Sequence, residues 1–126
     1  MSAAVNEPDP TPGDAVVLDE VLKRISHEGV IKDLRVRAEM GKAKYNTYLM
    51  TNNGRDAIQD AYQEALDLIM YVTQADMEGT SMSSHLFSGV MLVCIQLNIM
   101  LDTPKKPEAV EVEMEEIFPT PTDSSW

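Results

Sequence analysis

Cysteine is nearly absent: Cys94 is the one thiol in 126 residues. That excludes an internal disulfide framework and any Cys-based zinc site. The two histidines, His27 and His85, lie far apart and show no metal-ligand spacing. Basic residues are scarce as well. Lys plus Arg is 10 and Asp plus Glu is 21, a net charge of 10 − 21 = −11. Such a chain has no basic face with which to neutralise phosphates, which speaks against a nucleic-acid partner. It speaks equally against docking on anionic lipid. Residues 1–13 are polar, with no apolar stretch of signal-peptide type, so a soluble protein of the cytoplasm is expected.

Proline is missing from the whole stretch between Gly13 and Thr103. Pro8, Pro10 and Pro12 precede it; Pro104, Pro107, Pro119 and Pro121 follow it. Proline breaks helix interiors, so a proline-free stretch rich in Ala, Leu, Met, Glu and Gln reads as helical throughout. Hydrophobic residues make up 44% of the chain, enough for a packed core. The expected fold is therefore all-α, a single domain over residues 14–103. An extended N-terminal arm, residues 1–13, precedes it. A tail over residues 104–126 follows, acidic through Glu108, Glu111, Glu113, Glu115, Glu116 and Asp123. Val110, Val112, Met114, Ile117 and Phe118 in that tail suit packing on a neighbour.

Four helices are predicted. The first spans Asp14 to Ser26, with Val17, Leu18, Val21, Leu22 and Ile25 at helical spacing. The second spans Val30 to Tyr45, with Gly29 as the break before it. Asn46–Asn53 reads as a polar loop. The third spans Arg55 to Met77, capped by Asn53 and ended by Gly79. The fourth spans Ser84 to Leu101, capped by Ser83 or Ser84. This last helix is apolar nearly all round, from Leu86 to Leu101. It is too short to cross a bilayer and is interrupted by Ser88, Gln96 and Asn98. A small chain cannot cover such a helix alone, so a bundle completed by homo-oligomerisation, as a dimer or a tetramer, is expected. Cys94 acts there as a small hydrophobe.

Chemistry concentrates on the third helix. Asp56, Asp60, Glu64 and Asp67 are spaced four, four and three, which places them within roughly a quarter of the circumference. Stacked like charges repel, and no Lys or Arg lies between Asp56 and Glu78 to offset them. Leu66, Met70, Leu68 and Tyr71 flank the stripe. Carboxylates walled by apolar residues protonate or hold cations. Oxygen-only donors select a hard ion, Mg²⁺ or Mn²⁺. On the second helix Arg35, Glu39 and Lys42 share one face, and Arg37 and Lys44 another. These cations suit a polyphosphate, with Glu39 as a further metal ligand; a solvated charged face is the plain alternative.

Three segments carry a resemblance: Glu39-Met-Gly-Lys-Ala-Lys-Tyr45, Asn52-Asn-Gly-Arg-Asp56 and Asp60-Ala-Tyr-Gln-Glu-Ala-Leu-Asp67-Leu. Together the chain resembles phage-encoded members of the all-α nucleoside triphosphate pyrophosphohydrolase superfamily, the MazG-like group that includes the phage branch called MazZ. The resemblance spans residues 14–101 and is strongest over 35–74. Glu64-Ala-Leu-Asp67 fits the second acidic pair of the family pattern. In the first pair Glu39 is present, while Val36 and Lys42 depart from it. The resemblance implies a metal-dependent enzyme that cleaves the α–β phosphoanhydride of a nucleotide, giving a monophosphate and pyrophosphate. It implies Mg²⁺ or Mn²⁺, a site built from helices of associated subunits, and a role in adjusting the nucleotide pool in the host cytoplasm during phage infection. In the MazZ branch the substrates are guanine nucleotides, dGTP or GTP. It makes Glu64 and Asp67 the best metal ligands, followed by Glu39 and Asp60, with Glu39, Glu64 and Asp67 as the catalytic set. It makes Lys42, Lys44 and Arg55 phosphate binders and Tyr45 and Asn53 nucleoside contacts. The alternative from another class is a non-catalytic acidic helical interaction module.

Overall fold

The computed structural model describes residues 8–104; the acidic tail beyond Pro104 and the first half of the arm lie outside the described residues. Four helices follow one another: α1 Val17–Arg24, α2 Glu28–Tyr45, α3 Ala57–Met77 and α4 Ser84–Met100. There is no strand among the described residues, only an isolated antiparallel bridge between Val16 and Met50. Among them, too, no helix is long and apolar enough to cross a membrane.

The helix ends correct the sequence reading in three places. First, α1 starts at Val17 and not at Asp14, because residues 14–16 pair in extended form with the 49–51 segment. Asp14 N donates to Thr51 O at 2.9 Å, Thr51 N to Ala15 O at 2.8 Å, and Val17 N to Leu49 O at 3.0 Å. Second, Gly29 lies inside α2. His27 caps that helix, its Nδ1 accepting from Val30 N at 3.2 Å, so the free N–H of the first turn is satisfied two residues earlier than expected. Third, Asp56 rather than Asn53 caps α3. One of its carboxylate oxygens accepts from Ile58 N and Gln59 N, and its charge suits the positive helix terminus. Those are helix starts; among the other ends, α1 stops at Arg24 and not at Ser26, because Ile25 is extended, and the rest lie within a residue of expectation. Ser83 Oγ caps α4 by accepting from His85 N at 3.0 Å, and Gly79, at φ +100°, closes α3.

Helix packing divides the chain into two hairpins. α1 packs on α2 and α3 packs on α4, while α2 and α3 do not pack on each other. In the α3–α4 hairpin Asn98 Nδ2 donates to Tyr62 Oη at 3.1 Å and the Cys94 thiol to Ala65 O at 3.4 Å. Ala65 and Val90 are the only buried apolar residues among those described. Ile58, Ile69 and Val72 on the inner face of α3 are half-buried. The outer apolar side chains remain open to solvent. Leu92 and Ile99 on α4 are 56% and 58% exposed, Met70 and Tyr71 on α3 70% and 66%. Four helices are present, but the described residues do not make a closed four-helix core.

Candidate active site

A cleft of about 560 Å³ opens between the 49–55 segment and the first two turns of α3. Val17, Leu49, Ala57, Ile58 and Ala61 supply its apolar wall; Thr51, Asn53, Arg55, Asp60 and Glu64 supply the polar groups. A volume of this size lies within the usual range for small-molecule sites.

The arm braces the loop that lines the cleft. Pro8, Pro10 and Pro12 forbid a helix there, and the chain runs extended along the loop. Thr11 N and Thr11 Oγ1 both donate to Asn53 O, at 3.1 and 3.0 Å. Gly13 sits where the two backbones touch: a Cβ there would lie 1.8 Å from Thr51 O. Asn52 adopts the left-handed conformation at φ 55°, and its Nδ2 donates to Asp14 Oδ2 at 2.8 Å.

Two side chains of the cleft are held by this lacework. Asn53 is 6% exposed, and its Oδ1 accepts from Arg55 N at 3.1 Å. Its Nδ2 has no acceptor among the described residues. Arg55 grips Asp60 with two parallel bonds, Nε to Oδ2 at 2.8 Å and Nη2 to Oδ1 at 2.6 Å, while Nη1 donates to Pro8 O at 2.5 Å.

The acidic stripe divides by task. Asp56 is engaged as a helix cap and Asp60 is paired with Arg55. Glu64 stands exposed on the cleft lining, and Asp67 is exposed one turn further along. Leu68, Met70 and Tyr71 beside them are exposed too and Leu66 is half-buried, so among the described residues only the Asp60–Glu64 end of the stripe, along the cleft, has an apolar wall. No three His, Cys, Asp or Glu residues converge into a metal-holding group among the described residues of one chain.

The α2 residues lie elsewhere. Glu39 accepts a hydrogen bond from Tyr48 Oη at 2.5 Å and lines a smaller cleft of about 320 Å³ with Arg35 and Asp19. That hydrogen bond, to a charged carboxylate, raises the Tyr48 hydroxyl above its ordinary pKa of 10.0. Lys42 Nζ lies 4.7 Å from the centre of the Tyr48 ring, and Lys44 Nζ 5.2 Å from that of Tyr45. Thus Asn53, Arg55, Asp60 and Glu64 are brought together, while Glu39, Lys42, Lys44 and Tyr45 are not joined to them within the chain. Thr11, Gly13 and Tyr48 were not singled out from sequence. The run of prolines marks the arm as extended, but nothing local names the loop it lies against. Compared with protein-family models, with curated proteins and with solved structures, the chain matches none of them.

Proposed function

We propose that the protein is a metal-dependent nucleoside triphosphate pyrophosphohydrolase, cleaving the α–β bond of a (deoxy)nucleotide to monophosphate and pyrophosphate. The observation that supports this best is the cleft that combines an apolar wall, a buried amide donor, a guanidinium and the three carboxylates Asp56, Asp60 and Glu64. Asp60, Glu64 and Asp67 offer only oxygen donors, which fits Mg²⁺ or Mn²⁺. Mg²⁺ in particular uses one or two carboxylates together with substrate phosphates and does not need a full protein cage. When bound, the ion supplies Lewis acidity and offsets the charge of the polyphosphate.

The chain's own residues do the rest. Val17, Leu49 and Ile58 receive the flat face of a base, and Asn53 Nδ2 donates to an acceptor on the nucleoside. Arg55 holds a phosphate oxygen pair with two N–H groups. Glu64 and Asp67 hold the ion, and a carboxylate not engaged by it accepts the proton of the attacking water. Glu39, Lys42, Lys44 and Tyr45 join this set from a second copy of the chain, since α2 does not pack on its own α3. The same oligomer covers α4 and the apolar groove of about 810 Å³ formed by Ile69, Met70, Tyr71, Met77 and Phe87. The preferred substrate is a guanine nucleotide, dGTP or GTP, and the setting the host cytoplasm of a phage infection.

A second reading has an observation of its own. Glu64 and Asp67 are exposed, as they would be on the solvated face of a non-catalytic acidic helical interaction module. A panel of ribo- and deoxynucleoside triphosphates, with pyrophosphate release measured and products separated by chromatography, decides between them. Monophosphate plus pyrophosphate supports the enzyme. Diphosphate plus orthophosphate refutes the α–β assignment, and no product with any nucleotide favours the module.

A further inference from the structure

Arg55 and Asp60 are bound to each other in the cleft where each is needed for a different ligand. The guanidinium covers both carboxylate oxygens of Asp60, at 2.8 and 2.6 Å, and the two side chains are only 23% and 36% exposed. A carboxylate gripped in this bidentate way has its charge offset and one lone pair on each oxygen engaged. A divalent cation chelated by both Asp60 oxygens competes for those lone pairs, and a phosphate held by the same edge of Arg55 competes for those two N–H groups. Full engagement of either ligand opens the pair and frees the group that the other uses. A separate observation marks the cleft as a ligand site. Asn53 lines it at 6% exposure with an amide donor that no described residue accepts, and a buried donor in a folded protein normally has a partner.

We propose that Arg55 gates the cation site: its pair with Asp60 closes the ligand-free cleft to a divalent ion, and a phosphate that takes Arg55 releases Asp60 to the ion beside Glu64. Arg55 then acts as a positioning residue with two states, and phosphate and cation bind with positive coupling, each tightening the other by the same factor. The identity of the ligands rests on the pyrophosphohydrolase reading, but the gate itself is measurable without turnover.

The test is Mn²⁺ binding to the full-length, ligand-free protein, followed by the electron paramagnetic signal of free Mn²⁺. Arg55→Gln is expected to tighten Mn²⁺ by up to about fivefold, the range for a partly exposed ion pair. Arg55→Lys, a point charge that cannot span both oxygens, gives a smaller tightening in the same direction. Adding Asp60→Asn to Arg55→Gln abolishes the gain. Sulfate, a phosphate-like anion that holds Mn²⁺ weakly in solution, tightens Mn²⁺ binding in the wild type and not in Arg55→Gln. A folded Arg55→Gln with unchanged or weaker Mn²⁺ affinity overturns the gate, since a merely structural Arg55 gives that result. If Arg55→Gln does not fold, Arg55→Lys carries the test, and absence of tightening overturns the proposal. Pyrophosphate release by the wild type separates the two readings. A working gate without nucleotide hydrolysis discards the reaction alone; hydrolysis with Mn²⁺ affinity indifferent to Arg55 discards the gate alone.

Discussion

At the scale of single residues, the four acids of α3 are not equivalent, although their spacing makes them look so. Asp56 bonds two backbone amides and Asp60 a guanidinium, which leaves Glu64 and Asp67 to meet a ligand. Glu64→Gln and Asp67→Asn are each expected to abolish pyrophosphate release while the circular dichroism spectrum stays native. Both side chains are exposed, so neither change removes packing, and relief of repulsion one turn apart raises the metal-free melting temperature slightly. Near wild-type turnover at saturating Mg²⁺ would falsify the ligand role of the residue concerned.

Tyr48 supplies a pH-dependent counterpart. Its hydroxyl is raised by donating to the Glu39 carboxylate. A group raised in the folded state stabilises it fully below the unfolded value of 10.0 and loses that contribution as pH climbs through the raised value. Absorbance titration in the tyrosinate band, with Tyr48→Phe as reference, shows one late-titrating tyrosine in the wild type. Glu39→Gln is expected to return it toward 10.0. A titration curve indifferent to that change removes the hydrogen bond from the account.

At the scale of elements, caps and close approaches decide where each helix begins. Asp56→Ala removes the cap of α3 and is expected to cost about 0.5–2 kcal/mol, with Asp56→Ser recovering most of it. Urea unfolding measures both; equal losses for Ala and Ser would move the cap elsewhere. Gly13 is the tightest point of the arm. Its missing Cβ leaves room for Thr51 O, which a methyl group would approach to 1.8 Å. Gly13→Ala must push the arm off the loop and is expected to cost about 1–3 kcal/mol, as overpacking does. Because that loop carries Asn53 and Arg55, nucleotide affinity falls along with stability. Stability equal to the wild type in the same urea titration would show that the arm does not lie against Thr51.

At the scale of the whole molecule, the described residues bury few apolar side chains, Ala65 and Val90. Eight large apolar residues of α4, Leu86, Phe87, Met91, Leu92, Val93, Ile95, Ile99 and Met100, are each at least 40% exposed. Fully burying one such residue is worth roughly 1.5–3 kcal/mol, so covering the exposed half of eight on each subunit exceeds an association cost of about 4–15 kcal/mol. Val93 is 48% exposed, so Val93→Asp leaves the single chain's contacts largely intact. It is expected to convert an oligomer to 14.0 kDa monomers and to lose activity with the assembly. Light scattering at low micromolar concentration gives the mass of both forms. A compact, active wild-type monomer overturns the interface and, with it, the contribution of a second copy to the site.

Much of this was written in local sequence, because its causes are local. Helical spacing, the proline-free stretch and the Ser83 and Gly79 end signals depend on residues within a turn or two, so the existence and order of the four helices follow from the chain alone. The shared face of Asp60 and Glu64 follows in the same way from the pitch of one helix. What lies more than one element apart was decided by tertiary structure. Residues 14–16 have the composition to continue α1, yet they meet the 49–51 backbone and bond to it, since an extended partner satisfies their amides as a helix would. The bond from Arg55 to Pro8 O depends on the arm folding back across more than forty residues. No periodicity reports such a contact. Face sharing on α2 and the family resemblance group Glu39 with the α3 acids. Within one chain α2 is matched to α1 and α3 to α4, so that grouping is a question of how hairpins meet, which no single helix encodes.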